Sequence, residues 1–148
     1  IQLRDKDLPD RIGFGKQVVD LAHRHGAKVL VNGGPPIGDG IHFTAQQLMT
    51  LEERPGIGLA AASCHMREEL ERAMRLELDF AVLGPVKATA SHAGTALLGW
   101  DGFAAIARGT SIPVYAIGGM RRADLPDAWR HGAHGLAMIS GILEIYND

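Results

Sequence analysis

Short, almost continuously apolar runs alternate along this chain with longer stretches whose apolar residues recur at helical spacing. The short runs fall at residues 1–4, 28–32, 40–43, 58–63, 80–86, 113–117 and 135–140, and each is read as a strand. Between them, Ile12, Val18, Val19 and Ala22, then Leu70, Ala73, Met74 and Leu78, then Phe103, Ile106 and Ala107 mark helices packed along one side. The stretch Lys28-Val29-Leu30-Val31 shows no inside-outside alternation, as expected of a strand covered on both faces. Parallel strands need a long crossover between them, so a strand-helix series predicts a parallel sheet.

One phrase occurs twice. Arg24-His25-Gly26-Ala27 leads into Val29-Leu30-Val31, and Arg130-His131-Gly132-Ala133 leads into Leu136-Ala137-Met138-Ile139. Gly26 and Gly132 suit the left-handed position just past a helix, after which the chain turns into the next strand. No linker or low-complexity segment interrupts the series, so residues 1–148 are read as one domain. The fold class is α/β, a TIM (β/α)8 barrel. A full barrel takes roughly 250 residues, about 200 at the compact end. With 148 residues and about seven strands, the expectation is a truncated barrel, its first β/α unit and last helix missing.

Composition narrows the function. At 46% hydrophobic and 22% charged, the chain has the material for a packed core. A net charge of -2 and a pI near 6.4 give no global field for nucleic acid or an anionic membrane, so any anion site must be local. Cys64 alone makes neither an internal disulfide nor a zinc set, and no apolar run is long enough to span a membrane. A reducing cytoplasmic location is the expectation.

Two places carry candidate chemistry. Period-two alternation in Ile1-Gln2-Leu3-Arg4-Asp5-Lys6 puts Gln2, Arg4 and Lys6 on one side of a strand and its exit, where a guanidinium fork and an ammonium suit a phosphate or diphosphate. The plain alternative is a solvated strand exit. At the other end, Gly118-Gly119 and Ser140-Gly141 follow the last two strands, where barrels commonly hold phosphate on backbone N–H groups. Each could equally be a tight turn. His42 and His65 at strand exits and His92 on a loop are spread over three units without zinc-ligand spacing. Cys64 and His65 are sequence neighbours that face opposite ways on a strand, which disfavours a thiol nucleophile. His23, His25, His131 and His134 sit near helix ends and are read as cap or solvent-facing residues; Trp100 and Trp129 are read as packing residues.

The ordered series Ile1-Gln2-Leu3-Arg4-Asp5-Lys6, Leu30-Val31-Asn32, Asp39-Gly40-Ile41-His42, Ala62-Ser63-Cys64-His65, Leu83-Gly84-Pro85-Val86, Ala116-Ile117-Gly118-Gly119 and Met138-Ile139-Ser140 resembles the thiamin phosphate synthase and thiazole tautomerase superfamily. The resemblance implies a transferase that joins hydroxymethylpyrimidine diphosphate to thiazole phosphate and releases pyrophosphate. It implies that Gln2, Arg4, Lys6 and Asn32 hold the diphosphate, that Ser63 lies beside the pyrimidine, and that Thr89 and Ser91 offer hydroxyls from the loop after Pro85. Gly118, Gly119, Ile139 and Ser140 would hold the thiazole phosphate. The catalytic candidates are His92, Ser63 and Lys6.

The departures matter as much. Magnesium is the cofactor the resemblance implies, yet Gly33 and Gln47 stand where its carboxylate ligands are expected, and His92 replaces a lysine. No metal ligand is therefore assigned; Asp39 is the weak remaining candidate, and a buried turn or cap role suits it better. Thr44-Ala45-Gln46-Gln47 gives Gln47 another role, in a helix capping box. Two alternatives stay open: a tautomerase-type isomerase, with Pro85 in the place of that branch's catalytic histidine so that His92 would have to substitute, and a non-catalytic phosphate- or nucleotide-binding accessory domain of a Nudix hydrolase. The expected partners are a small phosphorylated heterocycle, a fused or neighbouring N-terminal domain and a second copy of the chain, with no nucleic acid and no membrane.

Overall fold

A computed structural model describes residues 1–4, 8–35, 37–56, 58–89 and 96–146. Its described strands are β1 (Gln2–Leu3), β2 (Leu30–Asn32), β3 (Gly40–Phe43), β4 (Leu59–Cys64), β5 (Phe80–Leu83), β6 (Val114–Ile117) and β7 (Gly135–Ala137). They form one seven-stranded parallel sheet in chain order, with registers such as Asn32 beside His42 and Ser63 beside Val82. The helices are α1 (Arg11–Arg24), α2 (Ala45–Thr50), α3 (Arg67–Arg75), α4 (Gly99–Ala107) and α5 (Leu125–Arg130), with 3-10 turns at Arg122–Asp124 and Ser140–Tyr146. The sheet curls until Arg4, just past β1, and Ala137 of β7 line the same cavity. This is the α/β barrel architecture that strand-helix alternation predicts. None of the described helices is long and apolar enough to cross a membrane.

Strand parity separates the core from the lumen. Ala60, Ala62 and Cys64 of β4, Ala81 and Leu83 of β5, and Val114 and Ala116 of β6 point outward and are buried against Leu48, Leu70 and Phe103 of the helices. The opposite parity, including Ser63, Val82, Tyr115 and Ile117, lines the lumen. Two expected strands stop early, β5 at Leu83 and β7 at Ala137, where the chain leaves the sheet for the turns that frame the cavity. Ile12 is half-exposed on α1 and so lies off its packed face. Trp100 packs as expected, edge-on to Phe103 and stacked on His131, whereas Trp129 is 59% exposed.

The repeated phrase is a repeated turn. Ala27 N donates to Ala22 O and Ala133 N to Ala128 O, both at 2.9 Å, closing the two helices around Gly26 and Gly132 with φ of +69° and +85°. A third helix ends in the same way without a glycine: Leu78 N donates to Ala73 O at 3.1 Å across Glu77, whose φ is +51°.

A second repeat ties the strands at their N-terminal ends. The residue just before β3, β5 or β7 donates its N–H at 2.8 Å to a carbonyl at or next to the start of the preceding strand: Asp39 to Val29, Asp79 to Ala60, His134 to Val114. Its side chain accepts the N–H of that same residue, at 2.8, 2.7 and 3.3 Å respectively. Every second strand start is thus clipped to its neighbour by a two-way hydrogen bond.

Candidate functional site

The C-terminal strand ends surround two adjoining spaces. The larger, about 520 Å³, is lined by Gln2, Arg4, Asn32, His42, Ser63 and Tyr115 among others. The smaller, about 60 Å³, is lined by Arg4, Pro85, Thr89, Gly118, Gly119, Ile139 and Ser140 among others. The sequence-derived candidates Gln2, Arg4, Asn32, Ser63, Thr89, Gly118, Gly119, Ile139 and Ser140 therefore all lie on one rim, and Arg4 borders both spaces. Lys6, Ser91 and His92 lie outside the described residues.

The smaller cleft is built by backbone approach. A Cβ on Gly118 would lie 2.7 Å from Pro85 Cα, and one on Gly119 would lie 2.4 Å from Ala88 O, so only glycine lets these two loops close on each other. Val86 N and Lys87 N donate to Ile117 O and Gly118 O at 2.8 and 3.0 Å. Lys87 Nζ reaches Asp124 Oδ1 at 2.7 Å, and Asp124 Oδ2 accepts from Arg121 N at 2.9 Å. Burial pulls the Asp124 acid upward, but these hydrogen bonds outweigh it and hold the carboxyl below its ordinary range.

The larger space is walled by uncharged polar groups on neighbouring strands. Asn32 and His42 are buried, and Asn32 Nδ2 donates to His42 O at 3.0 Å. His42 Nε2 lies 3.0 Å from Ser63 Oγ. Burial, with the nearby Arg4 charge, pushes the His42 imidazole down to about 4, so it stays neutral near pH 7 and is poorly suited to carrying protons there. His65 Nδ1 lies 2.6 Å from Gly84 O, and the ring borders both spaces. Burial, then the Glu69 charge, raises Cys64 to about 12, consistent with an inert core thiol.

Below this polar belt lie Phe80, Val82, Tyr115 and Leu136, which sequence reading placed in strands without assigning them to the cavity. The signal was available. Counting by twos back from Ile117 and Met138, which end β6 and follow β7, reaches Tyr115 and Leu136. Phe80 stands edge-on to both His42 and Tyr115, with ring centroids 6.2 and 5.6 Å away.

The residues expected to hold magnesium do not fit it. Gly33 has no side chain, and its carbonyl and that of Asn32 face the Arg11 guanidinium, at 3.5 and 2.7 Å. Gln47 is engaged in the capping box, where its Oε1 accepts from Thr44 N at 3.0 Å and its N–H donates to Thr44 Oγ1 at 3.2 Å. Asp39 takes the cap role rather than the weaker metal one. It precedes β3 at the opposite rim and binds His23, Lys28 and Val29 N, so it faces no cavity ligand. His23, read as a cap or solvent-facing residue, is also half of that ion pair. Among the described residues no group of three or more His, Cys, Asp or Glu side chains could hold a metal.

A curled parallel sheet with polar groups and glycine turns gathered at its C-terminal rim defines an α/β-barrel protein whose candidate site lies at that rim. The chain belongs to the TMP-TENI family, described as thiamine monophosphate synthase, whose model matches residues 1–142. It is 35% identical to a putative thiamine-phosphate synthase of Geobacter sulfurreducens, over 97% of this chain and 72% of the relative. It is 30% identical to a putative thiamine-phosphate synthase 2 of Aquifex aeolicus, over 97% of this chain and 82% of the relative. Among solved structures, a thiamine phosphate pyrophosphorylase from Pyrococcus furiosus superposes with a TM-score of 0.76 at 24% identity, covering 95% of this chain and 72% of that one. That likeness supports the shared barrel fold. The resemblance read from the strand-end motifs and the family match agree.

Proposed function

We propose that the rim cavity binds the phosphorylated pyrimidine and thiazole precursors of thiamin, with transferase chemistry of the synthase type and slow turnover. The observation that carries this reading is Arg4, which borders both the large polar cavity and the small glycine-built cleft. A guanidinium at that junction can bond a diphosphate in one space while facing a second phosphate in the other. The cleft, roughly 60 Å³, is of a size that suits one phosphoryl group.

In the proposed reaction the bond from the pyrimidine's methylene carbon to the diphosphate oxygen breaks. Pyrophosphate leaves with the electron pair, and the thiazole nitrogen forms the new C–N bond. Arg4, Gln2 and Asn32 would stabilise the leaving charge, Ser63 would face the pyrimidine, and Gly118, Gly119, Ile139 and Ser140 would position the thiazole phosphate. No step is routed through magnesium, because Gly33 and Gln47 offer it no carboxylate. Slow turnover follows from the same loss, together with a histidine at position 92 in place of a lysine.

The test supplies the protein with hydroxymethylpyrimidine diphosphate and thiazole phosphate, measures binding of each by calorimetry, and follows pyrophosphate release with and without magnesium. Binding of both with slow release supports the proposal. Binding without release leaves the accessory role, and binding of neither overturns the reading. A second reading, the tautomerase type, draws on His65 in the wall beside Pro85. Metal-free interconversion of the thiazole tautomers would establish it.

A further inference from the structure

We propose that His42 is a positioning residue, holding the Ser63 hydroxyl on the cavity wall so that the pair reads the ligand's heterocycle as a unit while the phosphates are held elsewhere. The inference rests on the heterocycle-and-phosphate reading of the cavity and deepens it.

Register shows that this contact is built. His42 pairs across the sheet with Ala61, and Ser63 lies one inward position further along β4. The imidazole must therefore lean along β4 to bring Nε2 to 3.0 Å from Ser63 Oγ, and the small Ala61 side chain leaves room for it. Asn32, itself buried, donates to the His42 carbonyl at 3.0 Å and ties β3 to β2 at the same level. Phe80 closes the lower side of the ring, edge-on. His42 is 2% exposed, and an apolar residue could fill such a place without the desolvation that a buried ring nitrogen carries.

The hydroxyl explains why an imidazole suits the position. A serine hydroxyl is a free rotor with one donor and two acceptor sites. Engaging one of them orients the rest, and Ser63 is only half-buried and borders the cavity. The low basicity of the buried ring fits a fixed partner better than a proton carrier.

The experiment uses the full chain and four variants: Ser63→Ala, His42→Gln, His42→Asn and the double variant His42→Asn with Ser63→Ala. A glutamine amide reaches about as far as Nε2, whereas an asparagine amide stops near Nδ1, so polarity is kept while reach differs. Calorimetry reads affinity for hydroxymethylpyrimidine diphosphate and, separately, for inorganic phosphate, with thermal melting as a check on folding. Ser63→Ala and His42→Asn are each expected to weaken heterocycle binding about fivefold, the effect of one neutral hydrogen bond. His42→Gln should recover most of it, the double variant should be no weaker than Ser63→Ala alone, and phosphate affinity should not move. Equal losses in His42→Gln and His42→Asn, multiplicative losses in the double variant, or phosphate affinity falling in step would each overturn the inference. Those variant outcomes overturn the inference alone, whereas wild-type protein that does not bind the heterocycle would remove the cavity reading along with it.

Discussion

The two rims of this barrel sheet use polar residues in opposite ways. At the N-terminal rim, Asp39, Asp79 and His134 spend both backbone and side chain on the start of the preceding strand. At the C-terminal rim, Arg4, Gln2, Ser63 and Ser140 border the cavities, and Asn32 and His42 are buried in the wall. A parallel sheet makes both rims from the same strands, so the difference lies in which residues sit at the strand ends. Partners satisfied within the protein stabilise it, while groups left facing a cavity are available to a ligand. Polar residues at the lower rim should therefore govern folding, and those at the upper rim should govern binding.

The sharpest way to break that division is Arg4→Ala. Losing a charged hydrogen-bonding partner of a phosphate should weaken inorganic pyrophosphate binding by tenfold or more, from roughly 1.5–3 kcal/mol, with little change in melting temperature. Arg122→Ala, an exposed position in the 3-10 turn and on neither cavity wall, is the control and should leave affinity alone. Equal losses in the two variants would remove Arg4 from the site.

Asp79→Ala tests the other rim. Ala60 is fully buried, its N–H donates to Asp79 at 2.7 Å, and Arg54 bonds the same carboxylate at 2.8 Å. Removing the acceptor should destabilise the fold by about 1–3 kcal/mol in urea denaturation, the usual effect of stranding a buried donor. Phosphate affinity should be unchanged, and a large affinity loss would show that the rims are coupled.

Asp39 sharpens the comparison through pH. The His23 hydrogen bond first, then those from Val29 N–H and Lys28, hold its carboxyl well below the ordinary value of about 3.9. A carboxyl depressed in the folded state contributes stability that is complete above the unfolded value and lost as pH falls through and below it. Wild-type stability should therefore drop between about pH 4 and pH 2 more steeply than that of Asp39→Asn. Asparagine keeps an acceptor for Val29 N–H, and the pairs with His23 and Lys28 are partly exposed, so the neutral-pH loss should be only roughly 0.5–1 kcal/mol. Parallel acid limbs in the two proteins would remove Asp39 from the account.

Much of the upper rim was legible because strand parity is a short-range code. Counting by twos from Arg4 reaches Gln2, and Gly118 and Ser140 lie at the ends of the last two apolar runs, whereas Asn32 and Ser63 were implied by the family resemblance. Reach and direction across strands were not legible. No local pattern shows that His42 leans onto Ser63, or that Asp39, one residue before β3, binds back to the start of β2 at the far rim. The lower clips were invisible for the same reason: Asp79 and Ala60 are 19 residues apart. The repeated turn was legible only where glycine marked it.

Glu77 is the unmarked copy of that turn, and it gives the smallest expected effect. Gly26 and Gly132 take positive φ freely, whereas Glu77 holds φ +51° with a Cβ that crowds the following carbonyl. The bond it spans, Leu78 N to Ala73 O, matches those in the two glycine turns, so glycine should keep the same backbone path. Glu77 is exposed, and the contact it receives from Arg54 ends on its backbone carbonyl, which substitution leaves in place. Relief of left-handed strain, reported as about 1–2 kcal/mol per residue, is partly offset by glycine's greater freedom in the unfolded chain, about 0.4–1 kcal/mol. Glu77→Gly should therefore raise stability by roughly 0.5–1 kcal/mol, or melting temperature by about 1–4 °C, without altering phosphate affinity. A lower melting temperature would mean that the Glu77 side chain does work here that its two glycine counterparts do without.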